Sequence, residues 1–239
     1  KQSILTALDL GYRLIDTAQM YENEYIVGCA VKESGIPREE LFLTTKIYRP
    51  RTTYQKAKSG IEQSLNELQT DYIDLLLIHE PYKSAPEMYE AFKEALRDGK
   101  VRAIGISNFD AEKYKEFVRS CEIIPAVNQV ESHVYFPQLE LKDLLNSYGT
   151  QMQSWASFTE GRKNIFAEPV LKEIGARHGK TSGQIALRYL IQNGIAVIPK
   201  SVHRERMAEN LAVLDFALTP SELSAISRLN GNSSLFGWY

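Results

Sequence analysis

Four side chains in this sequence could together deliver a proton to an oxygen that is gaining charge: Asp16, Tyr21, Lys46 and His79. A free tyrosine phenol titrates near ~10. An ammonium beside it favours phenolate and makes the phenol a better acid. Lys46 could be that ammonium, and Asp16 could hold it by an ion pair. His79 follows the apolar run IDLLLI and could hydrogen-bond the same oxygen. An acid with an orienting donor suits carbonyl reduction, where negative charge builds on oxygen as hydride arrives. Taken singly, these residues read blandly: a solvated lysine, a packed tyrosine, a satisfied histidine. A second chemistry stays open, with Lys46 as a Schiff-base nucleophile of a lyase or aldolase.

These residues can act together only if the fold gathers them. Apolar, β-branched runs predict strands over residues 12–16, 41–47, 73–79, 101–107, 126–131, 151–156 and 195–200. Helical periodicity predicts helices over 22–34, 53–68, 84–98, 111–121, 138–148, 169–178, 182–192 and 203–213. In 22–34 the expected apolar face is Ile26, Val27, Ala30 and Val31. Alternating strands and helices argue for parallel βαβ units. Polar groups stand at nearly every strand end: Asp16, Lys46, His79, Ser107 with Asn108, Gln129, and Lys200 with Ser201. In a TIM (β/α)8 barrel those ends form one mouth, where active sites are built. The fold expectation is therefore an α/β barrel of that type, read as a single domain over 1–239. Only seven strands are legible, and the chain opens inside an amphipathic helix. The expectation is that the first strand precedes the given residues. An open doubly wound sheet competes, but no G-x-G-x-x-G follows any strand.

Composition narrows the function classes. The 239 residues carry a net charge of -2, which argues against a general nucleic-acid binder. No apolar stretch approaches the ~20 residues of a membrane span, and no signal peptide is visible. The two cysteines, Cys29 and Cys121, read as small buried hydrophobes in helical contexts, which makes a reducing cytoplasm the default.

The motifs themselves resemble a known family. DTAQMYENE (16–24), TTK (44–46), LLLIH (75–79), GISNF (105–109), NQVE (128–131), IPKS (198–201) and RMAEN (206–210) closely resemble the aldo-keto reductases, in the family's order and across nearly the whole chain. The likeness is to the microbial, prostaglandin F synthase-like and diketogluconate reductase-like branch. It implies a catalytic tetrad of Asp16, Tyr21, Lys46 and His79, NADP(H) as cofactor and a small carbonyl substrate. It implies that Ser107, Asn108 and Gln129 hold the nicotinamide carboxamide, and that Trp155 stacks on the ring. It places Lys200 and Arg206 on the 2′-phosphate, a dianion that two cations would select. Asn210 matches the adenine contact with Glu209 beside it, and Ser201 and Val202 line that pocket. His203 stands where related microbial enzymes often carry Arg, an exchange expected to weaken the phosphate clasp. The bland alternative is that RMAEN merely opens a helix with Arg206 and Glu209 paired.

Two departures stand out. Ala156, Ser157 and Phe158 replace the usual Ser/Gly-Pro-Leu after the stacking aromatic, with Arg162 and Lys163 nearby as solvated cations. The family's first strand and N-terminal hairpin are missing from these residues. Substrate contacts are expected from Tyr48 and from Phe236 or Trp238 in the tail SLFGWY. No metal ligand is assigned, and a monomer is expected. A non-catalytic cofactor-binding subunit, like those attached to some ion channels, is a third reading. Nothing in the filled tetrad positions favours it.

Overall fold

The computed structural model describes residues 1–237. The chain divides into two compact units, the first ending at Asn128 and the second starting at Gln129.

The first unit contains α1 (Gln2–Asp9), β1 (Leu14–Asp16), α2 (Glu24–Ser34), β2 (Phe42–Ile47), α3 (Tyr54–Leu68), β3 (Ile73–Ile78), α4 (Ala85–Arg97), β4 (Val101–Ser107) and α5 (Ala111–Val118). Its strands pair parallel in chain order, with Asp16 beside Thr44, Lys46 beside Leu77 and Leu77 beside Gly105. All six residues of β3 are buried, as expected of a strand covered on both faces. The α3 helix buries Ala57, Ile61, Leu65 and Leu68, a stripe at three- and four-residue spacing. Thr53 starts it by accepting a hydrogen bond from the Lys56 amide.

The face of α2 differs from the expected one. Glu24, Val27, Gly28 and Ala30 are buried, whereas Ile26 is 44% exposed. Gly28 explains the rotation. A Cβ there would lie 2.6 Å from the Leu68 backbone, so the helix packs through its bare glycine against the end of α3.

The second unit contains β5 (Val127–Glu131, which begins at the boundary), α6 (Leu139–Ser147), β6 (Gln151–Trp155), α7 (Pro169–His178), α8 (Ser182–Gln192), β7 (Ala196–Val197), α9 (Arg204–Leu211) and α10 (Pro220–Ser227). The strand expected over 195–200 contracts to two residues, paired parallel with Gln153 and Ser154. Pro199 has no N–H to continue the ladder. The α10 helix was not foreseen, although Thr219-Pro220-Ser221-Glu222 spells a capping box that forms here. The two cysteines are half-buried, not buried as expected, and both are free thiols. Cys121 lies beyond the end of α5, outside the helix expected to hold it.

Candidate active site

In the first unit, three strand ends and one tight turn hold the four residues expected to act together. Asp16 closes β1, Lys46 lies one residue from the end of β2, and His79 follows β3. Parallel pairing brings these ends to one side, because each strand runs the same way. Lys46 is fully buried, and its ammonium is bound by the Asp16 carboxylate. It also donates to the Thr17 carbonyl at 2.9 Å. A buried ammonium left without acceptors would cost several kcal/mol, so these two partners are what allow it to sit there.

Tyr21 ends a one-turn 3-10 helix, Gln19–Tyr21, closed by Glu22 in the left-handed conformation at φ 51°. The Lys46 ammonium lies 5.1 Å from the centre of the Tyr21 ring. The ring is 49% exposed, so a ligand can reach it. Tyr21 meets His79 edge-on at 5.8 Å, and Tyr48 meets the same imidazole at 6.2 Å. The four expected tetrad residues and Tyr48 are thus gathered in one place.

His79 is held by its backbone, its N–H donating to the Ile47 carbonyl at 3.0 Å. Burial, followed by the nearby Lys46 charge, pushes its imidazole down to about 4. The ring is therefore neutral near pH 7 and donates through only one nitrogen. Its Nδ1 is buried without a hydrogen-bond partner, which marks a functional position or a water site. Beyond β4, Ser107 and Asn108 are both buried. Asn108 holds a left-handed backbone at φ 66°, a conformation asparagine tolerates better than most residues. Its Nδ2 donates to the His79 carbonyl at 3.1 Å, tying two strand ends together.

Sequence reasoning passed over the residues that set the Tyr21 turn. Gln19 is buried and donates to the Gly60 carbonyl at 2.8 Å and to Ser64 Oγ at 2.9 Å, both on α3. Glu24 is buried too and accepts from Thr45 Oγ1 at 2.6 Å. Burial pushes the Glu24 carboxyl up, and hydrogen bonds from Thr45 and Ser64 pull it back. Gln19 and Glu24 lie inside DTAQMYENE and were visible there. Their partners on α3 carry no local signal.

In the second unit, Gln129 is buried and donates to Gln153 Oε1 at 2.7 Å. Trp155 closes β6 and meets Phe236 edge-on at 5.0 Å. Past Trp155 the chain bends through Ala156, Thr159 and Glu160, all at positive φ. Arg162 lies 5.1 Å over the Phe236 ring and Lys163 4.4 Å over Tyr135, so both cations have aromatic partners where solvated ones were expected. Trp238 lies outside the described residues.

The 200–210 stretch fits a phosphorylated cofactor. Lys200 and Arg206 are exposed and have no ion pair among the described residues. The Arg206–Glu209 pair does not form among them either. Ser201 Oγ accepts from the His203 amide at 3.1 Å, shaping the turn into α9. Val202 is 65% exposed, an apolar surface open to an aromatic base. Asn210 Nδ2 is buried with no partner. The Glu209 carbonyl is anchored to α8 through Gln184 Nε2 at 2.9 Å. Two unpaired cations and one orphaned amide donor are what an anionic, hydrogen-bonding ligand would require.

Comparison with known proteins gives the family and the fold. The family model described as the aldo/keto reductase family matches residues 1–231. The chain is 40% identical over 230 residues to a glyoxal reductase of Bacillus subtilis, covering 96% of this chain and 83% of the relative. It superposes on an aldo-keto reductase from a Medee basin deep-sea metagenome library with a TM-score of 0.94, at 39% identity, covering 97% of this chain and 86% of the other. It superposes on the aldo-keto reductase of Bombyx mori, solved in complex with NADP, with a TM-score of 0.92 at 33% identity, covering 98% and 83%. The expected barrel class is thereby borne out. The chain belongs to the aldo/keto reductase family, oxidoreductases that act on carbonyl groups.

Proposed function

We propose that this protein reduces aldehydes or ketones to alcohols with NADPH, and that Tyr21 gives the proton. The observation that carries this reading is the buried Lys46–Asp16 pair beside the exposed Tyr21 ring. The bound nicotinamide supplies the hydride to the carbonyl carbon. Tyr21 gives its proton to the carbonyl oxygen, and solvent returns a proton to Tyr21. Lys46 stabilises the phenolate that this transfer leaves, and Asp16 holds Lys46 in place. Neutral His79 donates a hydrogen bond to the same oxygen and orients it. An aldolase role for Lys46 is disfavoured, because its nitrogen is engaged by two acceptors and buried.

Residue by residue, Ser107, Asn108 and Gln129 take the carboxamide, with matching donor and acceptor types. Trp155 stacks on the nicotinamide. Lys200 and Arg206 take the 2′-phosphate with His203 beside them, Asn210 with Glu209 meets the adenine, and Ser201 and Val202 line the adenine pocket. Substrate contact is assigned to Tyr48 and, from the tail, to Phe236 or Trp238. The same reading makes the protein a cytoplasmic monomer that binds neither nucleic acid nor membrane. No helix among the described residues is long and apolar enough to cross a membrane. A relative named glyoxal reductase makes glyoxal the first substrate to try.

A carbonyl panel run with NADPH and NADH side by side tests this. NADPH is expected to be consumed with glyoxal and a nitrobenzaldehyde, with one alcohol formed per cofactor. No consumption across aldehydes and ketones would overturn it. Replacing Lys200 and Arg206 with Ala should raise KM for NADPH about tenfold or more, through lost charge-assisted contacts, and leave KM for NADH nearly unchanged. An equal rise for both cofactors would remove these residues from the phosphate site.

A further inference from the structure

The second unit contains a buried carboxylate that the reaction does not use. Glu131 ends β5 and has no exposed surface. Its Oε1 accepts from His133 Nε2 at 3.1 Å and from the Leu235 amide at 2.8 Å. Its Oε2 accepts from Ser234 Oγ. Ser234 Oγ in turn accepts from the Phe236 amide at 3.0 Å and the Gly237 amide at 2.9 Å. The hydroxyl is saturated, with its one hydrogen on Glu131 and both lone pairs taken by the tail. The Gly231 amide donates to the Tyr135 carbonyl at 2.9 Å, pinning the near end of the same tail. Burial acts to raise the Glu131 carboxyl, but the bonds from His133, Ser234 and Leu235 hold it below its ordinary range.

We infer that Glu131 is a positioning residue that latches the C-terminal tail and so fixes Phe236 against Trp155. This rests on the reading of Trp155 and Phe236 as walls of the nicotinamide and substrate site. The ring that the latch sets belongs to the second residue after Ser234 and the first after Leu235. Only Leu235, itself bound through its amide, sits between the hydroxyl anchor and Phe236. With the latch closed, Phe236 stands edge-on to Trp155 at 5.0 Å, and Arg162 lies over its ring at 5.1 Å. A fixed aromatic wall sorts carbonyl substrates by bulk. The specificity determinant is therefore the buried carboxylate as much as the ring that substrate would touch. An amide cannot replace it. In one orientation its N–H meets the saturated Ser234 hydroxyl, and in the other it meets the Leu235 amide and the His133 ring.

The experiment uses a Trp238→Phe background, which leaves Trp155 as the single tryptophan of a chain that has two. In it, Ser234→Ala and Glu131→Gln are compared with Ser233→Ala as a control on the exposed neighbour. Losing a hydrogen bond to a charged group shifts a local equilibrium about tenfold. Acrylamide quenching of Trp155 should rise several-fold in Ser234→Ala and stay unchanged in Ser233→Ala. In the wild-type background, which keeps Trp238, Ser234→Ala should move the kcat/KM ratio of a bulky aromatic aldehyde to glyoxal about tenfold, with kcat on glyoxal kept. Ser234→Ala keeps the result decisive if Glu131→Gln fails to fold. Unchanged quenching in Ser234→Ala overturns the latch. Changed quenching with an unchanged selectivity ratio overturns its role in specificity. The quenching readout needs no turnover, so failure of the reductase reading alone would show as a loosened tail in a protein inert toward carbonyls.

Discussion

Lys46→Met is expected to cost about 3–5 kcal/mol of stability and nearly all turnover. The stability loss follows from what the substitution leaves behind. The Asp16 side chain is 10% exposed, and its carboxylate would stay in the protein without its ammonium. The Thr17 carbonyl would lose a hydrogen bond as well. Asp16→Asn should be comparably harmful, since it strands the fully buried ammonium instead. The double variant separates the two roles of the pair. Removing both charges together often recovers most of the stability, because nothing charged is left buried alone. Turnover should not recover, since no cation then faces the phenolate. Urea unfolding and kcat measured on all three variants check this. Recovery of both quantities in the double variant would reduce the pair to a structural element.

The proposed tetrad could be singled out because its residue types are uncommon at strand ends and their order is distinctive. The strand ends themselves were readable from apolar runs, and β4, α7 and α8 match their expected bounds. Other features depended on contacts that no local pattern contains. The buried face of α2 is set by Gly28 against the Leu68 backbone, so Ile26 is outside despite its hydrophobicity. The length of β7 is set by the missing donor of Pro199, a signal that the sequence itself carries. Gln19 and Glu24 were within the recognised motif, but their partners Gly60, Ser64 and Thr45 are 21 to 45 residues away. The Glu131 latch is more remote still, since it joins residues more than 100 apart. Sequence periodicity reports which face is apolar. It does not report which polar group closes on which.

The cofactor stretch shows the same division. IPKS and RMAEN pointed to Lys200, Arg206 and Asn210 by type as the proposed cofactor residues. Only the structure shows that the two cations carry no ion pair among the described residues and that the Asn210 amide is orphaned. Exposed arginines and lysines commonly have acidic neighbours. A pair left without them, beside an unsatisfied buried donor, fits a site kept for an anionic ligand.

The proposed proton donor is tested most directly by Tyr21→Phe, with kcat and NADPH dissociation measured on the same protein. The substitution removes one oxygen from a ring that is half exposed, so the fold and the Lys46–Asp16 pair should stand. The hydroxyl is the group proposed to protonate the carbonyl. Its loss should lower kcat by about 10²–10⁴, the range a positioned general acid contributes. NADPH binding, followed by fluorescence, should change less than about twofold, because no cofactor contact is assigned to that oxygen. A variant that binds NADPH normally and turns over at the wild-type rate would contradict the assignment of Tyr21 as the acid.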